Sequence, residues 1–210
     1  MTRPSIMTPP KLHDTQRWRG MRIGLFGGTF NPPHAGHIHA TQIALKYLGL
    51  DAVWWMVTPG NPLKTKSNLP DLAIRMEHCR TLVTNPRVLV TDIEKDLGTI
   101  RTYETVKALQ THFPTTEFIW FSGTEIAYEF PRWYKWRELQ TLIPFAFVGR
   151  PTKAGQVRRN SFKGNNRLHH IFPMHGMRPA LQKGHIYWIF AEPLLDISST
   201  QIRKSSQDQI

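Results

Sequence analysis

Met21-Arg22-Ile23-Gly24-Leu25-Phe26-Gly27-Gly28-Thr29-Phe30-Asn31-Pro32-Pro33-His34-Ala35-Gly36-His37 begins as an apolar strand, turns on two glycines and ends where helical spacing starts. Met21 to Phe26 is the expected first strand. From His37 to Leu48, the apolar residues Ile38, Ile43, Ala44, Leu45 and Leu48 recur at helical spacing. The two glycines are expected to let the backbone approach a ligand closely and to adopt unusual dihedrals. The helix that follows offers free N–H groups and the positive end of its dipole, a combination that favours phosphate. No Gly-Lys-Ser/Thr follows, so this is not a Walker loop, and the G-x-G-x-x-G spacing is absent. His34 and His37 lie three apart at the helix start, on one face, where each can donate an N–H to phosphate oxygens. A zinc site would need further ligands, and no cysteine or carboxylate stands nearby.

The same alternation continues outward. Ala52 to Val57 reads as a nearly all-apolar strand covered on both faces. Asp71 to Thr84 is a predicted helix, Val88 to Ile93 a strand, Tyr103 to Phe113 a helix, and Glu117 to Phe121 a strand. Trp133 to Leu142 is helical in pattern, Pro144 to Val148 and Ile186 to Phe190 are strands, and Ser199 opens a closing helix. Strands alternating with helices imply right-handed crossovers and a parallel α/β sheet with helices on both faces. Ligands in such a sheet bind beyond the carboxyl ends of the strands. The loops after Phe26, Val57, Ile93, Phe121 and Phe190 are therefore the places for chemistry. No internal repeat or heptad pattern is visible.

Composition narrows the class. The chain has 210 residues, 40% hydrophobic, which suits one domain with a sizeable core. No apolar run approaches the roughly 20 residues that span a bilayer. Residues 1–20 lack an apolar core segment and are expected to be a flexible N-terminal extension, with 21–210 forming a single domain. Cys79 is the one cysteine, so no internal disulfide is possible, and a cytoplasmic location is expected. Cys79 reads as a small buried hydrophobe. The net charge of +12 attracts anions, either small phosphates or nucleic acid. From Pro151 to His185 there are seven Lys and Arg but no Asp or Glu, which reads as a long solvated basic loop.

Gly27 to His37 resembles the signature of the nucleotidylyltransferases with an H-x-G-H motif. The resemblance implies a Rossmann-like fold, in which this loop, with Gly27, Gly28, Thr29 and Phe30, binds the triphosphate of ATP. It also implies that His34 and His37 stabilise charge during attack on the α-phosphorus. At the far end, Ile197-Ser198-Ser199-Thr200-Gln201-Ile202-Arg203 resembles the same family's I-S-S-T-x-I-R motif. There Ser198, Ser199, Thr200 and Arg203 are implied ATP contacts. Phe130-Pro131-Arg132-Trp133-Tyr134-Lys135-Trp136 resembles the F-x-x-W-x-x-W stretch of nicotinate-nucleotide adenylyltransferases, in which a tryptophan stacks on the pyridine ring. Trp133 matches that position. Gly98 to Tyr103, with Thr99 and Thr102, resembles the family's mononucleotide-contacting loop. Thr58 to Lys64 and Val148 to Pro151 are similar to two further loops, with Lys64 and Arg150 as substrate contacts. The chain departs from the pattern at Gly123-Thr124-Glu125, where Glu125 stands in place of the usual aspartate.

The resemblance spans roughly Arg22 to Arg203. It implies adenylyl transfer from ATP to nicotinate mononucleotide, giving deamido-NAD and pyrophosphate, with Mg²⁺ bound mainly through the ATP phosphates. The expected partners are therefore these two small molecules, without a membrane. The alternatives are the same chemistry on another phosphate such as phosphopantetheine, and a basic nucleic-acid-binding protein that keeps a nucleotide pocket. A class I tRNA synthetase fragment is a third, but no K-M-S-K-S-like loop appears.

Overall fold

The computed structural model describes residues 8–60, 69–149, 169–174, 176, 178–190, 199, 202 and 203. Seven strands form one sheet among these residues: β1 (Arg22–Gly28), β2 (Ala52–Val57), β3 (Val88–Thr91), β4 (Glu117–Gly123), β5 (Phe145–Val148), β6 (His169–Ile171) and β7 (His185–Ile189). Their order is β3-β2-β1-β4-β5-β7-β6, and every pairing is parallel. The chain first winds outward from β1 to β3, then returns to the other side of β1 at β4. The β1–β4 pair is thus the switch point, where loops part and leave a crevice beyond the strand ends.

Side-chain alternation divides the core into two layers. Trp54 and Met56 of β2 join Leu25, Trp120, Phe145 and Trp188 on one face, under α4 (Thr102–His112) and α6 (Trp136–Leu142). Val53, Trp55 and Val57 join Phe26, Phe121 and Val148 on the other, under α1 (Ala35–Tyr47) and α2 (Leu72–Leu82). Both faces being covered explains why β2 has no polar residue. Cys79 of α2 is fully buried, and burial pushes its thiol pKa up to about 12, so it is an inert core residue.

Four expectations are corrected. The N-terminal segment is packed over part of its length: Trp18 is fully buried, meets Trp54 edge-on at 5.0 Å, and its carbonyl accepts from the Thr116 hydroxyl at 2.9 Å. A large indole removes more apolar surface from water than a tail can gain by moving freely. The basic segment is not one loop, because His169–Ile171 adds to the sheet edge beside β7, with His169 opposite His185. Only three residues long and lacking any alternation of its own, β6 is held by its neighbour's ladder. The third strand stops at Thr91, where its hydroxyl accepts the Ile93 N–H at 3.1 Å and turns the chain into the short α3 (Ile93–Asp96). Finally, α6 begins at Trp136 and not at Trp133. A one-turn 3-10 helix, Phe130–Arg132, and a left-handed Lys135 at φ 49° interrupt the predicted helix. Trp133 therefore lies on extended backbone and not on a helix face.

Candidate active site

The Gly27-Gly28-Thr29-Phe30 loop leaves β1 at its carboxyl end, at the switch point. Neither Gly27 nor Gly28 has positive φ, contrary to expectation; the left-handed residue is Phe30, at φ 46°. A bulky residue held there costs about 1–3 kcal/mol. It is tolerated because the Phe30 ring is 2% exposed and stacks on Trp55 at 4.9 Å and 14°. Gly27 is needed for space. A Cβ there would stand 2.5 Å and 2.7 Å from two atoms of the Trp120 ring, whereas at Gly28 the nearest atom, on Phe30, is 3.3 Å away. Trp120 packs edge-on against Trp133 at 5.8 Å. Gly27→Ala is thus expected to destabilise by about 1–3 kcal/mol through overpacking, and Gly28→Ala by much less. Thermal melts and KM values of the two variants check this, and equal effects would refute the steric argument.

His34 is the N-cap of α1, and the helix starts two residues earlier than its apolar spacing indicates. Its Nδ1 accepts the Gly36 N–H at 3.1 Å, while His37 Nδ1 accepts the His34 N–H at 3.1 Å, a reciprocal capping box. An Nδ1 that accepts carries no proton, so each neutral ring carries its proton on Nε2. Neither Nε2 has a hydrogen-bond partner among the described residues. The rings lie 3.8 Å apart between centroids, and His37 also touches Phe30 at 5.0 Å and Phe26 at 5.8 Å. Burial, then the neighbouring His34, lowers the His37 pKa to about 3; burial lowers that of His34 as well. Both are therefore neutral Nε2–H donors at pH 7.

A pH dependence follows. Above the ordinary value of 6.5, His37 is neutral whether the chain is folded or not. As the pH falls from there toward 3, the unfolded chain binds a proton that the folded one refuses, so stability is lost. The loss amounts to about 1 kcal/mol per pH unit for one such group. His37→Gln should flatten that slope between pH 6.5 and 5 in denaturant titrations. An unchanged slope would mean that His37 is not the group responsible.

The far end of the chain reaches this loop. The Ser199 hydroxyl donates to Pro32 O at 2.9 Å, and Arg203 Nη1 donates to Asn31 O. Ser198 and Thr200, like Lys64 and Arg150, lie outside the described residues.

A cleft of about 410 Å³ opens beside the loop, lined by Gly27, Gly28, Thr29, Thr58, Glu94, Thr102, Trp120 and Trp133, with Ile100, Arg101, Arg132 and Tyr134 also bordering it. Trp133 is partly buried, with Phe130 at 5.3 Å behind it. The two threonines of the loop divide. Thr102 borders the cleft, and its N–H, in the open first turn of α4, has no partner among the described residues. Thr99 does not border it: its N–H donates to Glu94 O at 2.9 Å and its hydroxyl lies 2.9 Å from that of Thr105. Glu125 is exposed and does not border the cleft; its carboxylate lies against Gly123.

Several cleft residues were missed from sequence. Glu94 is 5% exposed, one of its oxygens accepts from Thr105 at 3.0 Å, and the other has no partner. Burial raises its pKa, partly offset by the hydrogen bond from Thr105. Arg101 lies over the Tyr134 ring at 4.5 Å. Both sit in stretches that carry no helical or strand signal, so nothing local marks their direction.

The family profile described as cytidylyltransferase-like matches residues 25–205. A protein of Ruegeria pomeroyi named "probable nicotinate-nucleotide adenylyltransferase" is 41% identical over 192 residues, 88% of this chain and 86% of that one. The chain belongs to the nicotinate-nucleotide adenylyltransferase family. A relative of the same name from Agrobacterium fabrum is 50% identical over 131 residues, covering 62% of this chain and 70% of its own. The structure of Plasmodium falciparum nicotinic acid mononucleotide adenylyltransferase complexed with NaAD shares the fold, with a TM-score of 0.64 at 16% identity over 88% of this chain and 83% of that chain. In this chain the β1 loop, the histidine pair at the start of α1 and the β1–β4 crevice lie at the carboxyl ends of the strands. Among the described residues no helix is long and apolar enough to cross a membrane.

Proposed function

We propose that the chain transfers AMP from ATP to nicotinate mononucleotide, releasing pyrophosphate and forming deamido-NAD. The observation that carries this is the histidine pair, whose Nδ1 atoms are tied to backbone N–H groups so that both Nε2–H groups remain as donors beside the loop. A phosphate oxygen of the mononucleotide attacks the α-phosphorus of ATP. One P–O bond forms there, the bond to the bridging oxygen of the β-phosphate breaks, and pyrophosphate leaves. The nucleophile is already an anion, so no proton need move. Catalysis is then positioning plus stabilisation of charge on the phosphates. His34 and His37, the Thr29 and Phe30 amides, Ser199 and Arg203 are assigned to the triphosphate.

These groups are hydrogen-bond donors, suited to phosphate oxygens and not to a cation. That donor set fits Mg²⁺ held through the phosphates themselves. Bound so, the ion would supply neutralisation of charge on the phosphates. Trp133 holds the pyridine ring, and the Thr102 amide faces its carboxylate. Lys64, Thr99, Glu125 and Arg150 are kept as mononucleotide residues on family resemblance, Thr99 acting through the loop that its bonds to Glu94 and Thr105 brace. Residues 21–210 form one catalytic unit working in the cytoplasm.

Pyrophosphate release is measured with ATP and, in turn, nicotinate mononucleotide, nicotinamide mononucleotide and phosphopantetheine. Turnover is expected with the first at the highest kcat/KM. A preference for phosphopantetheine, or salt-sensitive binding of random RNA without any release, would overturn the reading.

A further inference from the structure

Arg75 lies at the end of the first turn of α2, a helix that carries no part of any motif. It is 1% exposed, and no carboxylate forms a salt bridge with it among the described residues. A buried guanidinium without a carboxylate is costly unless its donors are used well. Here they go to three backbone carbonyls: Nε to Pro70 O at 2.8 Å, and Nη1 to both Thr29 O and Thr58 O at 2.9 Å. Thr29 and Thr58 both border the cleft, at the ends of adjacent strands. Burial lowers the guanidinium pKa, opposed by Cys79 and Asp71.

The consequence lies in the next peptide plane. The Thr29–Phe30 peptide is trans, so its C=O and N–H point in opposite directions. With the Thr29 carbonyl turned to Arg75, the Phe30 N–H faces away from it, and that N–H has no partner among the described residues. Phe30 is the residue held left-handed at φ 46°. A strained plane persists only where its surroundings over-determine it. Two contacts do so here, the Phe30–Trp55 stack on one side and Arg75 on the other.

We propose that Arg75 is a positioning residue for ATP: it holds the Thr29 carbonyl inward so that the Phe30 amide is presented to the triphosphate. This rests on the reading of the loop as the triphosphate site. Arg75 touches no reacting atom itself. Its positive charge beneath the loop also favours an anion above it.

The test compares wild type with Arg75→Lys, which keeps the charge but not the fork, and Arg75→Met, which keeps neither. ATP and nicotinate mononucleotide binding are measured separately by calorimetry at low temperature, with circular dichroism melts to verify folding. ATP is expected to bind at least tenfold more weakly to Arg75→Lys and more weakly still to Arg75→Met, with mononucleotide affinity within about threefold of wild type. If Arg75→Met does not fold, Arg75→Lys decides alone. Lower melting temperature with unchanged ATP affinity makes Arg75 merely structural and overturns the proposal, as does equal weakening toward both ligands. Because ATP binding is read directly, a wild type that binds ATP but does not adenylylate nicotinate mononucleotide defeats the functional reading and leaves the role of Arg75 standing.

Discussion

Replacing His37 with alanine is expected to lower kcat by on the order of 100-fold or more, the loss typical of one donor aimed at developing charge. The ring has two separable roles. Its Nδ1 caps the His34 N–H at 3.1 Å, and its Nε2–H is the donor assigned to the phosphates. Alanine removes both and also the contacts with Phe26 and Phe30, so a stability loss of about 1 kcal/mol should accompany the kinetic one. His37→Asn separates them, because the asparagine oxygen can still accept from the backbone while nothing replaces Nε2–H. It should restore most of the melting temperature and little of the turnover. Single-turnover rates of both variants with ATP and nicotinate mononucleotide are the measurement. Near-normal rates in a folded His37→Asn protein would remove His37 from the chemistry.

Trp133→Ala should raise KM for nicotinate mononucleotide by roughly 5–30-fold, the equivalent of 1–2 kcal/mol of stacking and cation–π attraction. KM for ATP should stay within about twofold, since the loop that holds it is fastened by other residues. The preference for acid over amide should survive. An indole face cannot tell a carboxylate from an amide; donors at the ring edge do so, because a carboxylate only accepts while an amide leaves its N–H groups unpaired against them. Sites of that kind discriminate by up to roughly 10⁴-fold. Of the donors first considered, the Thr99 amide is already bonded to Glu94 O, which leaves the first turn of α4 at Thr102. Steady-state kinetics with both mononucleotides decide. Equal weakening toward ATP would place Trp133 outside the ring pocket, and loss of acid preference would show that it does more than stack.

Much of the site was legible because its signals are local. Two glycines between a strand and a helix, histidines three apart, and a serine–threonine run before an arginine each act on neighbours within a few residues. Local reading also misplaced detail within those same stretches. It assigned the unusual dihedral to the glycines, where the structure has it at Phe30. It placed Trp133 on a helix, where Pro131 and a left-handed Lys135 keep it on extended backbone.

The sequence by itself determined the α/β alternation, the doubly covered β2, the glycine loop between β1 and α1 and the family, since periodicity and short motifs depend only on residues close along the chain. Tertiary structure decided what depends on distant residues. It placed Ser199 against Pro32, 167 positions away, and brought Trp18 beside Trp54 in the core. It gave β6 a ladder that its own residues do not announce. It also set Arg75 under Thr29, 46 positions earlier, where a buried cation is stable only because three carbonyls from separate segments converge on it. Such convergence is a property of packing, and no stretch of sequence short enough to read by its own pattern contains it.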